Sequence, residues 1–96
     1  MQFVIQCEDI PNGLELRMAT RPAHVDYLKA QEAHILGAGP FLDDQDQMVG
    51  SLLIVDFPSE AEARGFAEND PYAKAGLFAS TKIRRWRWGF KPPASV

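Results

Sequence analysis

The hydrophobic pattern switches twice from a period of two to a helical period and back. A polar gap at residues 43–47 and a proline stop after Asn69 and Asp70 punctuate it, and together these features predict an α+β domain. The order they give is strand, helix, strand, strand, helix, strand. That order closes as a four-stranded antiparallel sheet with two helices on one face, the ferredoxin-like arrangement.

Residues 2–8 alternate, with Phe3, Ile5 and Cys7 on one face, and read as the first strand. Residues 9–14, which include Pro11 and Gly13, read as a loop. The first helix is expected to begin near Thr20 or Arg21, with Pro22 in its first turn where a missing N–H costs nothing, and to stop at Gly37. Its apolar stripe would include Val25, Leu28, Ile35 and Leu36. Two strands, about 38–42 and 48–57, flank the polar hairpin segment. Ser59, with Glu62 three residues on, has the capping-box spacing of a second helix running to Glu68. A turn then runs through Gly76. The last strand covers about 78–88, with Trp86, Trp88 and Phe90 alternating against Arg85, Arg87 and Gly89, and residues 91–96 read as an irregular tail.

The 96 residues have room for one domain, spanning 1–96, near the lower end of the sizes at which a single core suffices. A 46% hydrophobic share, 24% charged residues and a net charge of −3 exclude a disordered chain and a mainly nucleic-acid-binding one. Half of the 10 cationic residues, Lys82, Arg84, Arg85, Arg87 and Lys91, crowd the last strand and its end. Such a basic strand suits an anionic small molecule or a self-complementary contact. No run nears the roughly 20 apolar residues that span a bilayer. The lone Cys7 cannot form an internal disulfide and the first residues lack a signal-peptide pattern, so the expected location is the cytoplasm. One sheet face is left bare by two helices on the other. With two tryptophans on the last strand, that face predicts a homodimer.

Asp70 follows Ala63, Phe66 and Ala67 by seven, four and three residues, so it continues the inward face of the second helix. A carboxylate pointing inward needs a partner. In the predicted topology the start of the first helix lies beside the end of the second, which brings His24 to Asp70 and gathers Arg21, Ser51 and Tyr72 at the same end. A carboxylate that holds one imidazole nitrogen leaves the other as a base. His24 and Asp70 are therefore the candidate catalytic pair, and Arg21, Ser51 and Tyr72 the candidate substrate-binding residues. Arg84 and Trp86, on one face of the last strand, join them as a cation and an aromatic surface, with packing in the core or at a dimer contact the other role for Trp86 and Trp88. A structural tie between helix ends is the other role open to the His–Asp pair. His34 lies roughly 15 Å from His24 at 1.5 Å per residue of helix, and His24 with Asp70 supplies two ligands only, so no metal is expected. Cys7 reads as a small buried residue rather than a nucleophile, and Ser51 lacks the G-x-S-x-G context of a nucleophile elbow.

The run Arg21-Pro22-Ala23-His24-Val25-Asp26-Tyr27-Leu28 is followed by Gly39-Pro40, Gly50-Ser51, Ser59-Glu60-Ala61-Glu62-Ala63, Asp70-Pro71-Tyr72 and Ala75-Gly76-Leu77. In this order these motifs resemble the YciI-like (YCII-related) family across nearly the whole chain. The resemblance implies a dimeric α+β barrel of ferredoxin-like units, with a His–Asp pair carried here by His24 and Asp70. It also implies kinship with lyases and isomerases of aromatic-compound breakdown, including dehydrochlorinases of hydroxylated rings. The basic final strand departs from what the resemblance leads one to expect. Two functions follow. One is a cofactor-independent lyase or isomerase in which His24 moves a proton on a small phenolic or anionic substrate; the other is a non-catalytic small-molecule-binding or interaction module. A freely titrating His24 that responds to catechol-like ligands separates the first from the second. The partners expected are a small molecule and a second copy of the chain, not nucleic acid or membrane.

Overall fold

The computed structural model describes residues 1–94; Ser95 and Val96 of the expected irregular tail lie outside the described residues. Its elements are β1 (Gln2–Asp9), α1 (Leu14–Ala30), a 3-10 turn (Glu32–His34), β2 (Ile35–Leu42), β3 (Met48–Asp56), α2 (Glu60–Glu68), the one-turn α3 (Pro71–Lys74) and β4 (Phe78–Trp86). The alternation in β1 does what it predicts: Phe3, Ile5 and Cys7 are buried, and stand opposite Val55, Leu53 and Ser51 of β3. The sheet order is β2-β3-β1-β4 with every pairing antiparallel. Helices cover one face, as the ferredoxin-like reading requires. Ala63, Phe66 and Ala67 of α2 close the core over Phe3, Ile5, Leu53 and Val55. The cap of α2 is also as read, since the Glu62 N–H donates to Ser59 Oγ at 3.2 Å. Among the described residues no helix is long and apolar enough to cross a membrane.

The first helix differs from its expected form at both ends. It starts at Leu14, not near Thr20 or Arg21, and Pro22 lies inside it. A proline there removes one backbone donor but leaves the helix continuous. Gly13 precedes the helix without a side-chain cap, so the usual polar start signal is missing. The helix stops at Ala30, where the Gln31 N–H reaches the carbonyls of Tyr27 and Leu28. Gly37 is therefore a strand residue, and Ile35 and Leu36 belong to β2 rather than to a helical stripe. At the other end of the chain β4 stops at Trp86, two residues before the expected Trp88.

Two glycines are required by space or by angle. A Cβ on Gly50 would stand 2.5 Å from the Cys7 carbonyl oxygen and 3.1 Å from Phe41, so β3 can approach β1 and β2 there only without a side chain. Gly76, at φ +80, makes the left-handed turn that leads from α3 into β4.

Burial pushes the Cys7 thiol from 9.0 up to about 11, opposed in part by the Thr81 hydroxyl at 3.7 Å. In this window the unfolded chain loses the thiol proton while the folded chain keeps it, so the stability is complete below pH 9 and is lost as pH rises toward 11. Urea unfolding across that range is expected to show a falling midpoint, with Cys7→Ala flattening the slope. At pH 8 a thiol reagent should react with Cys7 only after unfolding.

Candidate active site

Arg17, Arg21, His24 and Leu28 are spaced by four, three and four residues, which aligns them on one face of α1. All four line a cavity of about 170 Å³ between α1 and the β2–β3 half of the sheet, with Ser51 and Tyr72 also in its wall. The inward stripe of this helix is therefore largely polar. Three of the polar groups in and behind that wall, Arg17, Ser51 and Asp70, are between 2 and 4% exposed. Groups buried to that degree must be paired to be tolerated.

His24 lies in the third turn of α1. Its Nδ1 is 2.9 and 3.0 Å from the two carboxylate oxygens of Asp70. An ionised carboxylate only accepts, so Nδ1 carries the proton and the neutral ring has its lone pair on Nε2. No hydrogen bond holds Nε2 among the described residues. Asp70 is itself fixed, because it caps α3: its Oδ1 accepts the Tyr72 N–H at 2.9 Å, and Pro71 occupies the first helical position. The Tyr72 ring then stacks on the imidazole at 4.0 Å between centroids. One short segment, Asp70-Pro71-Tyr72, thus supplies both the carboxylate and the surface that orient the ring.

Arg17 is the second centre of the site. Its Nε donates to Asp9 Oδ2 at 2.7 Å, while Nη2 donates to Asp9 Oδ1 and to Ser51 Oγ, each at 2.9 Å. The guanidinium carbon lies 4.5 Å over the Tyr72 ring. Burial works against the Arg17 cation, but the Asp9 hydrogen bonds and charge outweigh it and hold its pKa above the ordinary arginine value. Burial also raises Tyr72, although the charges of Arg17 and Arg21 pull it back. At neutral pH the wall therefore presents a fixed cation and a protonated phenol.

Of the residues expected from sequence, Arg21, His24, Ser51 and Tyr72 line this one cavity and Asp70 stands directly behind His24. Arg84 and Trp86 do not join them. They pair with Val4 and Gln2, the even positions of β1, and so project from the sheet face away from the helices. His24 meets Asp70 although it is not in the first turn of its helix, because α1 begins earlier than expected and packs along α3. To the residues expected from sequence the structure adds Arg17 and Asp9. The signal that could have found Arg17 is its spacing of four and seven residues from Arg21 and His24. His34 plays a structural part: its Nδ1 is 3.0 Å from the Asp56 carbonyl oxygen and its ring stacks on Phe57. Among the described residues no group of three His, Cys, Asp or Glu side chains comes together as a metal site.

An antiparallel sheet with helices on one face, and a histidine–carboxylate pair beside a buried arginine at a cavity under it, defines a small α+β protein with a polar-walled cavity between helix and sheet. Residues 1–87 match the YCII-related domain, and the chain belongs to that family. It is 36% identical to an uncharacterized protein of Haemophilus influenzae over 95 residues, covering 91% of this chain and 97% of that one. It is 33% identical, with the same coverage, to Protein YciI of Escherichia coli. Among solved structures it is similar to 5-chloro-2-hydroxyhydroquinone dehydrochlorinase (TftG) from Burkholderia phenoliruptrix AC1100 in complex with 2,5-dihydroxybenzoquinone. There the TM-score is 0.86 and the identity 41%, over 93% of this chain and 96% of that one.

Removal of either buried partner should be felt in stability, and in a definite order. Arg17→Ala leaves Asp9 uncompensated and should cost about 3–5 kcal/mol. His24→Ala leaves Asp70 its Tyr72 N–H bond and should cost about 1–3 kcal/mol. Asp70→Asn keeps an oxygen for that cap and should cost least. Chemical denaturation of the three variants checks the order.

Proposed function

We propose that this chain is a cofactor-independent lyase or isomerase that moves a proton on a small hydroxylated ring, with His24 as the base and Asp70 as the group that holds it. The observation that carries this reading is the two-oxygen grip of Asp70 on Nδ1, which leaves Nε2 open beside the cavity. A cavity of about 170 Å³ suits one ring: a dry cavity of roughly 150 Å³ holds benzene. The similarity to TftG, a dehydrochlorinase by name, supports a lyase-type reaction on a phenolic substrate.

In this mechanism Nε2 takes the proton of a ring hydroxyl as the oxygen's electron pair moves toward the ring and a carbonyl forms. Return of that proton to a ring carbon gives the keto tautomer, which is an isomerisation. If that carbon bears a halide, loss of a second hydroxyl proton to the base expels halide ion, and the net change is loss of HX. Arg17, Arg21 and the Ser51 hydroxyl surround the place where the oxyanion would develop, and preorganised donors act most strongly there. Tyr72 would support the ring and keep the imidazole in plane. No step calls for a metal or an organic cofactor.

The assembly we propose is a homodimer in the cytoplasm, with neither nucleic acid nor membrane as a partner. Phe41, Val49 and Trp86 are 39 to 41% exposed, and Phe41 and Val49 share an open concavity with Gln6, Ser80 and Lys82 on the face away from the helices. A second copy covering that face would remove this apolar surface from water. Sedimentation at micromolar concentration is expected to show a dimer whose stability falls on dilution; a stable monomer would contradict the assembly.

The catalytic reading is tested with a chlorinated hydroxyhydroquinone, following chloride release and quinone absorbance. His24→Ala and Asp70→Asn should each lower the rate by about 10²–10⁴-fold without loss of fold. A wild-type rate in folded His24→Ala would sink the proposal.

A further inference from the structure

The pairing of Arg17 with Asp9 does more than make burial tolerable. Both side chains are nearly sealed, at 3% and 4% exposure. Asp9 grips the guanidinium by its side, through Nε and Nη2, and Ser51 takes the second Nη2 hydrogen. Three of the five N–H groups are thereby committed. Nη1 makes no hydrogen bond of full geometry among the described residues, and the Tyr72 hydroxyl also lies close to the guanidinium. Since Arg17 lines the cavity, its uncommitted edge is what a ligand can use. Asp9 fixes which edge that is.

Asp9 also fixes the charge of the site. The ionised groups in and behind the cavity wall are two cations, Arg17 and Arg21, and two carboxylates, Asp9 and Asp70, and His24 lines the same cavity. With His24 neutral these charges cancel. A site of this kind gives a permanent anion hydrogen bonds but little net attraction, while the anion must still give up its hydration. A ligand that arrives uncharged and passes its proton to His24 becomes an anion at the moment the site becomes cationic. Complementarity then appears in the transition state rather than in the resting complex.

We propose that Asp9 is a positioning residue that sets the charge selectivity of the cavity, so that it accepts uncharged hydroxylated rings in preference to permanent anions of the same size. This rests on the cavity being the ligand site, and it selects between the phenolic and anionic substrates that the sequence left open. Asp9 follows Phe3, Ile5 and Cys7 in the period-two alternation of β1, so the end of the strand carries this side chain on the face that meets α1.

The test compares two one-ring probes at pH 7, catechol, which is uncharged, and benzoate, which is not, by calorimetric or NMR titration. The unaltered protein should bind catechol roughly tenfold more tightly than benzoate. Asp9→Asn should shift that ratio toward benzoate by about tenfold, the scale expected from losing one charge near the site. Asp9→Glu, which keeps the charge, should restore the preference. The Arg17 Nε–H resonance should be protected from exchange in the unaltered protein and lose protection in Asp9→Asn. Equal or tighter benzoate binding by the unaltered protein would overturn the inference, as would an unchanged ratio in Asp9→Asn. If Asp9→Asn does not fold, the ratios in the unaltered protein and Asp9→Glu decide it. Failure of both probes to bind would remove the ligand-site reading and this inference with it, whereas binding without charge preference would remove the inference alone.

Discussion

The constraint on which this structure turns is the cost of burying charge under a small sheet. Taking an ion out of water costs several kcal/mol even after the protein relaxes. Three separate segments answer that cost for one helix. The end of β1 brings Asp9 to Arg17, β3 brings Ser51 to the same guanidinium, and the α2–α3 junction brings Asp70 to His24. The helix can then turn Arg17, Arg21 and His24 toward the domain instead of a full apolar stripe. The cavity exists because that stripe is polar and its buried and part-buried members, Arg17 and His24, are paired.

The same constraint explains what could be read from the sequence. The strands were legible because their alternation is driven by burial on one face, as in Phe3, Ile5 and Cys7. The second helix was legible because Ala63, Phe66 and Ala67 are an ordinary core stripe with a capped start. The first seven residues of α1 were not, because the stripe there places Arg17 where a core helix would place an apolar residue, and Gly13 supplies no cap. Pro22 then looked like a beginning rather than an interruption. Asp9 was hidden for the same reason: it reads as a loop polar residue until Arg17 is known to face it.

Asp70 was the exception. Its phase with the preceding apolar residues marks it as inward, and an inward carboxylate implies a partner, so the pair with His24 is legible in the sequence. The geometry that delivers it is different from the one expected, since the contact falls in the middle of α1. Arg84 and Trp86 were linked to the site by residue type alone. Period-two alternation, with Ile83 opposite Ile5 on the core side, puts both on the other face. Residue chemistry suggested a ligand there; strand geometry assigns them to the surface where a second copy is proposed.

The central claim is that Asp70 holds the His24 imidazole with Nε2 free to act on a bound ring. Nitrogen-15 NMR of the histidine side chains reports this directly. The account predicts that at a pH where His24 is neutral its proton resides on Nδ1, and that Nε2 shifts when catechol is added while the resonances of His34 do not. A neutral His24 protonated on Nε2, unmoved by catechol, would contradict it.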